Sequence, residues 1–393
     1  MSDDAGIRLR DGVRTCLLLF IGVRIGLSLI SVAGVHLVEP FAPVNVPGWA
    51  TVEATVGWHN LWDATVRQDA LWFLRIASGG YVPGDGSAAF FPLYPLAIRL
   101  LAWLPGVGPA GAALLIANAS FLGALIVLHG LTRLEFADGG SLGTGDDPAS
   151  MARRTVLFLA IFPTAFFFLA PYTEAPFLLL SLAAFWCARR DRWGWAAVFG
   201  AGAALTRSIG VIVAVALLAE AVHQWREGKP PLPRLAAAAA AGLAPLLYLA
   251  WWEAAHGDAW APLRAQGNWG RELTSPLTTI GRAVRFANAF GTYWMVDVLV
   301  VGVVLVAIVA GVRWLRPTYL VYAVASLLLP LTNPFPDRPL MSMPRFVIVL
   351  FPAFWVIARA VERRRIPESL VTASFAAGYG VLALLFVNWR YIF

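Results

Sequence analysis

From about residue 15 to residue 388 the chain is a succession of apolar runs punctuated by arginines. That pattern limits the fold more than anything else in the sequence. A helix needs about 20 apolar residues to cross a bilayer, fewer where short helices pack in pairs. Runs at 15–38, 109–131, 154–170, 174–188, 193–206, 208–222, 235–252, 294–312, 317–331, 346–360 and 368–388 meet this description. They predict an all-α polytopic membrane protein with about 11 transmembrane helices, in a range of about 10–12. The stretch 193–222 reads either as one long tilted helix or as two short ones broken near Arg207. Only 13% of the 393 residues are charged, against about 25% in soluble domains. A water-soluble globule is excluded, and residues 1–393 read as a single integral membrane domain.

The net charge of +7 comes almost wholly from arginine, since Lys229 is the only lysine. These arginines are spread between apolar runs rather than gathered in a patch, which argues against a nucleic-acid partner. Cys16 and Cys187 lie in apolar runs, and the five histidines have no ligand spacing, so neither a disulfide framework nor a metal site is expected. The first apolar run lacks a small-residue cleavage site and reads as a retained helix, not a signal peptide.

Arginine counting predicts orientation. With Arg8, Arg10 and Arg14 inside, and 39–108 outside without crossing, the inside segments are 132–153, 189–192, 223–234, 313–316 and 359–366; each is basic. The stretch 90–104 contains Arg99, Pro92 and Pro95 and must then lie along the outer interface, because a crossing there would invert every later loop. The long outer pieces are 39–108, with interfacial helices, 253–293 and 332–345. They are rich in aromatic residues, and segments of this length in compact proteins are usually functional. The stretch 138–150 reads as a flexible inside loop.

Several polar groups mark the outer side. Asp69 opens a helix in which Trp72, Phe73 and Ile76 share one face, with Asp63 six residues earlier. An acid in a first helical turn is stabilised by the helix dipole with or without a further role. Tyr172-Thr173-Glu174 stands between two spans, where a carboxylate either caps a helix or faces a cavity. Arg207 and Arg345 sit at span ends, suited either to snorkelling or to gripping a phosphate with a fork of donors. No P-loop, G-x-G-x-x-G, G-x-S-x-G, H-E-x-x-H or D-x-D motif is present, which disfavours a nucleotide-dependent enzyme. An outer site of arginines and carboxylates suits a substrate that is itself a lipid phosphate.

These motifs resemble those of the PIG-V-type mannosyltransferases. Asp69-Ala70-Leu71-Trp72-Phe73-Leu74-Arg75-Ile76-Ala77 with Gly80-Tyr81 is similar to their W-D-x-x-W-Y-x-x-I-A…G-Y. Phe90-Phe91-Pro92-Leu93-Tyr94-Pro95 resembles F-F-P-x-Y-P, Tyr172-Thr173-Glu174 resembles Y-T-E, and Arg207-Ser208-Ile209-Gly210 resembles R-S-N-G. Gln266 and Trp269 fall where the family has Q-x-x-W, and Arg345-Phe346 with Phe351-Pro352 resembles R-F…F-P. The matches run in family order from residue 69 to 352. Gln68 stands where the family has Trp, Ile209 where it has Asn, and Trp62-Asp63 keeps the W-D dipeptide at a different spacing.

The resemblance implies a GT-C-like bundle and transfer of mannose from polyprenyl-phosphate-mannose to an acceptor hydroxyl, with inversion. It implies Asp69, rather than Asp63, as the base by spacing, and roles for Glu174, Arg207 and Arg345 around the reacting groups. Tyr81, Tyr94, Tyr172, Gln266 and Trp269 become candidate substrate contacts, with Asp63 kept beside them. The implied partners are the lipid-linked donor, membrane lipids, and a glycolipid, glycan or protein acceptor, with no further cofactor. The implied place is the plasma membrane, with the site on the extracytoplasmic side. The Ala- and Arg-rich, Lys-poor composition is that of a high-GC bacterium, so the eukaryotic GPI-anchor acceptor does not carry over. The competing expectations are the same machinery with a lipid-linked glucose or pentose, a lipid-linked-glycan transporter or flippase, and a silent scaffold. A transporter predicts inverted repeats and midplane charges. No repeat is visible, and Arg24 alone lies well inside a span.

Overall fold

The computed structural model describes residues 2–39, 46, 60–137, 140, 142, 145–267, 272–290 and 293–390. The described residues form α-helices and 3-10 turns, with no strand among them. In hydrocarbon each segment must satisfy its own backbone polar groups, which a helix does.

The chain begins with α1 (Ser2–Leu37), whose Leu17, Leu18, Ile21, Ile25 and Leu29 are exposed, as on a lipid-facing helix. Arg24 inside it donates from Nη2 to the Leu61 carbonyl at 3.0 Å. The first long loop contributes α2 (Asn60–Asp63), α3 (Asp69–Gly79) and α4 (Leu93–Leu101). At nine residues, α4 is about 13 Å long and too short to cross, in keeping with the non-crossing reading of 90–104. α3 departs from the interfacial expectation, because residues Ala70 to Ala77 are all buried. Trp72 stacks on Phe90 at 5.4 Å, and Phe73 meets Phe90 and Tyr94 edge-on at 5.2 and 5.1 Å. Its aromatic face thus finds protein rather than lipid.

Next come α5 (Gly108–Phe136), α6 (Pro148–Ala160), α7 (Glu174–Arg189), α8 (Trp193–Thr206), α9 (Val211–Arg226), α10 (Leu232–Leu243) and α11 (Pro245–His256). The second long loop carries α12 (Ala261–Gly267) and α13 (Pro276–Phe290). The chain closes with α14 (Tyr293–Gly311), α15 (Pro317–Leu331), α16 (Met343–Phe346), α17 (Phe351–Glu362) and α18 (Glu368–Val387).

Among the described residues, six helices are long and apolar enough to cross a membrane, or seven if the pair Met343–Val349 and Phe351–Glu362, bent by 73°, is one span. That is fewer than the expected eleven. The difference lies in the centre, where α6, α7, α8 and α15 have 13, 16, 14 and 15 residues. The expected span 154–170 is not one helix: α6 stops at Ala160 ahead of Pro163, and Ala165–Phe168 is a 3-10 turn. The stretch 193–222 is two helices, broken where Arg207 is extended at φ −149° and ψ 151°. Of 138–150, read as a flexible loop, residues 138, 139, 141, 143 and 144 lie outside the described residues, whereas α6 already begins at Pro148, and Asp146 is buried and accepts from Arg359 and Arg363 at 2.9 and 3.0 Å.

At the Arg189 end of α7, several basic residues counted as loop charges are instead buried and paired. Arg189 donates from Nε to Glu135 at 2.5 Å, while Arg316 gives Nε and Nη2 to the two oxygens of Glu220, each at 2.9 Å. Thr318 and Gln224 also donate to Glu220, and Tyr319 to Glu135. Arg234 reaches Asp191 at 2.5 Å. This knot joins the ends of α5, α7 and α9 and the start of α15. α7 has 16 residues, so Glu174 lies about 22 Å away at its other end.

Candidate active site

Two backbone devices aim the acids. Asp69 is the first residue of α3, and Gln68 before it has φ 51°, a conformation few non-glycine residues adopt. Arg67 holds that turn, donating from Nε to Val387 O at 3.1 Å and lying over the Trp389 ring at 4.7 Å. Tyr172, buried, donates its hydroxyl to Arg67 O at 2.9 Å, which ties the start of α7 to the start of α3. Glu174 opens α7 immediately afterwards and is fully buried.

Two further devices aim the arginines. α8 ends at Thr206, and a 3-10 turn Ser208–Gly210 follows. Gly210 is there because the turn runs against the α8 backbone: a Cβ on it would stand 2.6 Å from Ala204 Cα, and closer still to Ala203 O. Arg345 lies in α16, entered through Ser342 at φ 67°. Thr164 donates to Pro344 O at 2.7 Å and Tyr322 to Val349 O at 3.0 Å, pinning both sides of that segment.

The four charged groups meet. Arg345 Nη1 donates to Asp69 Oδ2 at 2.6 Å, and Arg345 Nε lies 3.0 Å from Glu174 Oε1. Arg207 Nη1 lies 2.5 Å from the same Glu174 oxygen. Side-chain exposure rises from 1% at Glu174, through 10% at Arg207 and 15% at Arg345, to 30% at Asp69. Asp69 is therefore the most accessible of the four, with the arginines more buried. Glu174 Oε2 is buried without a hydrogen bond among the described residues, an acceptor whose desolvation calls for a donor. Both guanidinium groups lie over Phe346, at 5.2 Å for Arg207 and 5.4 Å for Arg345, and Arg345 also lies over Tyr172 at 5.4 Å.

The remaining sequence candidates divide. Tyr94 is buried, with its hydroxyl on Ala113 O at 3.1 Å, and packs α4 against α5. Tyr81 donates to Phe90 O at 2.9 Å and stands among Tyr248, Trp251 and Trp252. Burial, with Tyr248 beside it, holds its phenol well above the ordinary range. Asp63 lies on α2 and pairs with neither Arg207 nor Arg345. Gln266 is on α12, and Trp269 lies outside the described residues. No group of three or more His, Cys, Asp and Glu among the described residues is placed to hold a metal ion.

Two features escaped the sequence reading. Phe346 under both arginines was quoted only as part of a motif, although its adjacency to Arg345 was a signal. Asp297 on α14 accepts from Arg338 Nε and Nη2 at 2.7 and 2.9 Å, a buried pair that stitches the segment before Arg345 to α14. Nothing in the local sequence announces it.

The family described as mannosyltransferase (PIG-V) matches residues 31–231. The chain belongs to the PIG-V mannosyltransferase family. The matched region contains Asp69, Tyr172, Glu174 and Arg207, and membership makes the protein a membrane glycosyltransferase. No curated protein is similar enough to count as a match. Among solved structures, ArnT from Cupriavidus metallidurans bound to undecaprenyl phosphate is similar at 15% identity and a TM-score of 0.49, over 96% of this chain and 76% of that one. The Archaeoglobus fulgidus oligosaccharyltransferase in complex with Zn and sulfate is similar at 14% identity and a TM-score of 0.43, over 94% of this chain and 53% of that one. The chain thus spans about half the length of the latter. Likenesses this loose bear on neither substrate nor mechanism.

Proposed function

We propose that the protein transfers mannose from a polyprenyl-phosphate carrier to an acceptor hydroxyl at the extracytoplasmic face, with inversion. The observation that carries this reading is the continuous ion-pair chain Asp69–Arg345–Glu174–Arg207, drawn from four distant segments. Asp69, the most exposed member, is the base. The acceptor O–H proton passes to an Asp69 oxygen as the acceptor oxygen forms its bond to the anomeric carbon. The bond from that carbon to the phosphate oxygen breaks, and its electron pair leaves with the phosphate. Phosphate is a good leaving group, so one carboxylate is sufficient and no general acid is needed. Arg207 and Arg345 stabilise the charge growing on the phosphate. The unsatisfied Oε2 of Glu174 accepts from a sugar or acceptor hydroxyl. The proposed face is supported by the opposite end of the bundle, where Arg190, Arg192, Arg226, Arg313, Arg364 and Arg365 remain exposed, in the manner of a positive-inside bias. The plasma membrane is the membrane proposed.

The test is transfer from polyprenyl-phosphate mannose by the detergent-solubilised protein. Asp69→Asn should lower turnover by about 10²–10⁴-fold. Near-wild-type turnover would exclude Asp69 as the base. Glucose or pentose carriers tried in parallel assign the sugar.

A further inference from the structure

Arg345 is engaged by the acid that has to act as the base. Its Nη1 donates to Asp69 Oδ2 at 2.6 Å, while its Nε faces Glu174 Oε1 at 3.0 Å. The Arg345 N–H occupies Asp69 Oδ2, so that oxygen cannot take the acceptor proton until the contact is broken. Asp69 in this arrangement is a base with one oxygen masked. Arg207, by contrast, pairs with one carboxylate, Glu174, among the described residues, and its Nε and Nη2 make no hydrogen bond there, so they can meet an anion first. A sugar phosphodiester brings one negative charge and planar pairs of acceptor oxygens, the chemistry a guanidinium fork binds best. Arg345 cannot give Nη1 to Asp69 and to that phosphate at full strength.

We propose that Asp69 and the donor phosphate compete for Arg345, so that seating the lipid phosphate on Arg207 and Arg345 frees Asp69 to take the acceptor proton. The inference rests on the lipid-phosphate reading above and adds an order to it: donor first, acceptor second. The geometry favours this direction of release. Asp69 is the most exposed member of the chain, with 30% of its side chain exposed, so once released it is the one an acceptor reaches most easily. Glu174, at 1%, stays behind with the arginines.

The expected signature runs against intuition: removing the catalytic carboxylate strengthens donor-side binding. The full-length protein in detergent, as wild type, Asp69→Asn and Asp69→Ser, is titrated with undecaprenyl phosphate and read by tryptophan fluorescence. Gel filtration establishes that each variant is folded. Asp258→Asn, which removes a carboxylate paired with Arg264 rather than with Arg207 or Arg345, controls for a general field effect. Freeing one charge-assisted hydrogen bond should tighten binding about tenfold in both Asp69 variants, with Asp258→Asn unchanged. Equal or weaker binding by the folded Asp69 variants overturns the competition while leaving the lipid-phosphate reading intact. Equal tightening by Asp258→Asn also overturns it, because the effect is then one of net charge. No binding by any folded form removes the lipid-phosphate reading, and the competition with it.

Discussion

Replacing Arg345 by lysine keeps the charge and removes the geometry. Arg345 serves two carboxylates in different directions from one rigid plane, with Nη1 to Asp69 at 2.6 Å and Nε to Glu174 at 3.0 Å. It lies at the same time over the rings of Phe346 and Tyr172. A lysine ammonium is a point charge and cannot serve Glu174 and the donor phosphate together, as the fork does once Asp69 is released. One charge-assisted hydrogen bond lost amounts to about 1.5–3 kcal/mol, and weaker stacking over the rings adds about 0.5–1 kcal/mol. The total of about 2–4 kcal/mol corresponds to a drop of about 30- to 900-fold in kcat/KM. The assay is mannose transfer from the polyprenyl-phosphate donor by variant protein that elutes and melts like wild type. If folded Arg345→Lys transfers mannose within threefold of wild type, the claim that the fork of donors organises the site is refuted.

Gly210→Ala should displace Arg207, because the added Cβ meets the α8 backbone; a raised donor KM and a stability loss of about 1–3 kcal/mol are expected, and an unchanged KM would mean that the turn does not place Arg207. Glu220→Ala leaves Arg316 buried without its two-pronged partner and should cost about 3–5 kcal/mol of stability. Denaturant titration measures this; transfer per folded molecule should stay at the wild-type level, and a stability change below about 0.5 kcal/mol would show that the knot is not structural.

Much of the fold could be read from the apolar runs, because hydrophobic length reports directly on what a bilayer solvates. The short central helices could not be read so well. Hydropathy does not distinguish burial in lipid from burial in protein, so it did not show that α7, with most of its residues buried, packs inside the bundle. Counting arginines picked out the basic segments but missed that Arg189, Arg316 and Arg359 have buried carboxylate partners and that Arg234 is itself buried against Asp191. Charge counts carry no information on pairing. Of the site, Asp69, Glu174, Arg207 and Arg345 were each legible as polar groups at span ends, and the family resemblance selected them; that they form one chain was not legible. The Asp297–Arg338 pair was hidden because its partners are 41 residues apart.

The far-end knot has a mechanical corollary. Four helices bound together by Glu135, Arg189, Glu220 and Arg316 cannot slide past one another without tearing buried ion pairs. They retain freedom to pivot about that point, so whatever widening admits a lipid tail between them takes the form of a fan opening at its rim, a hinge motion rather than shear.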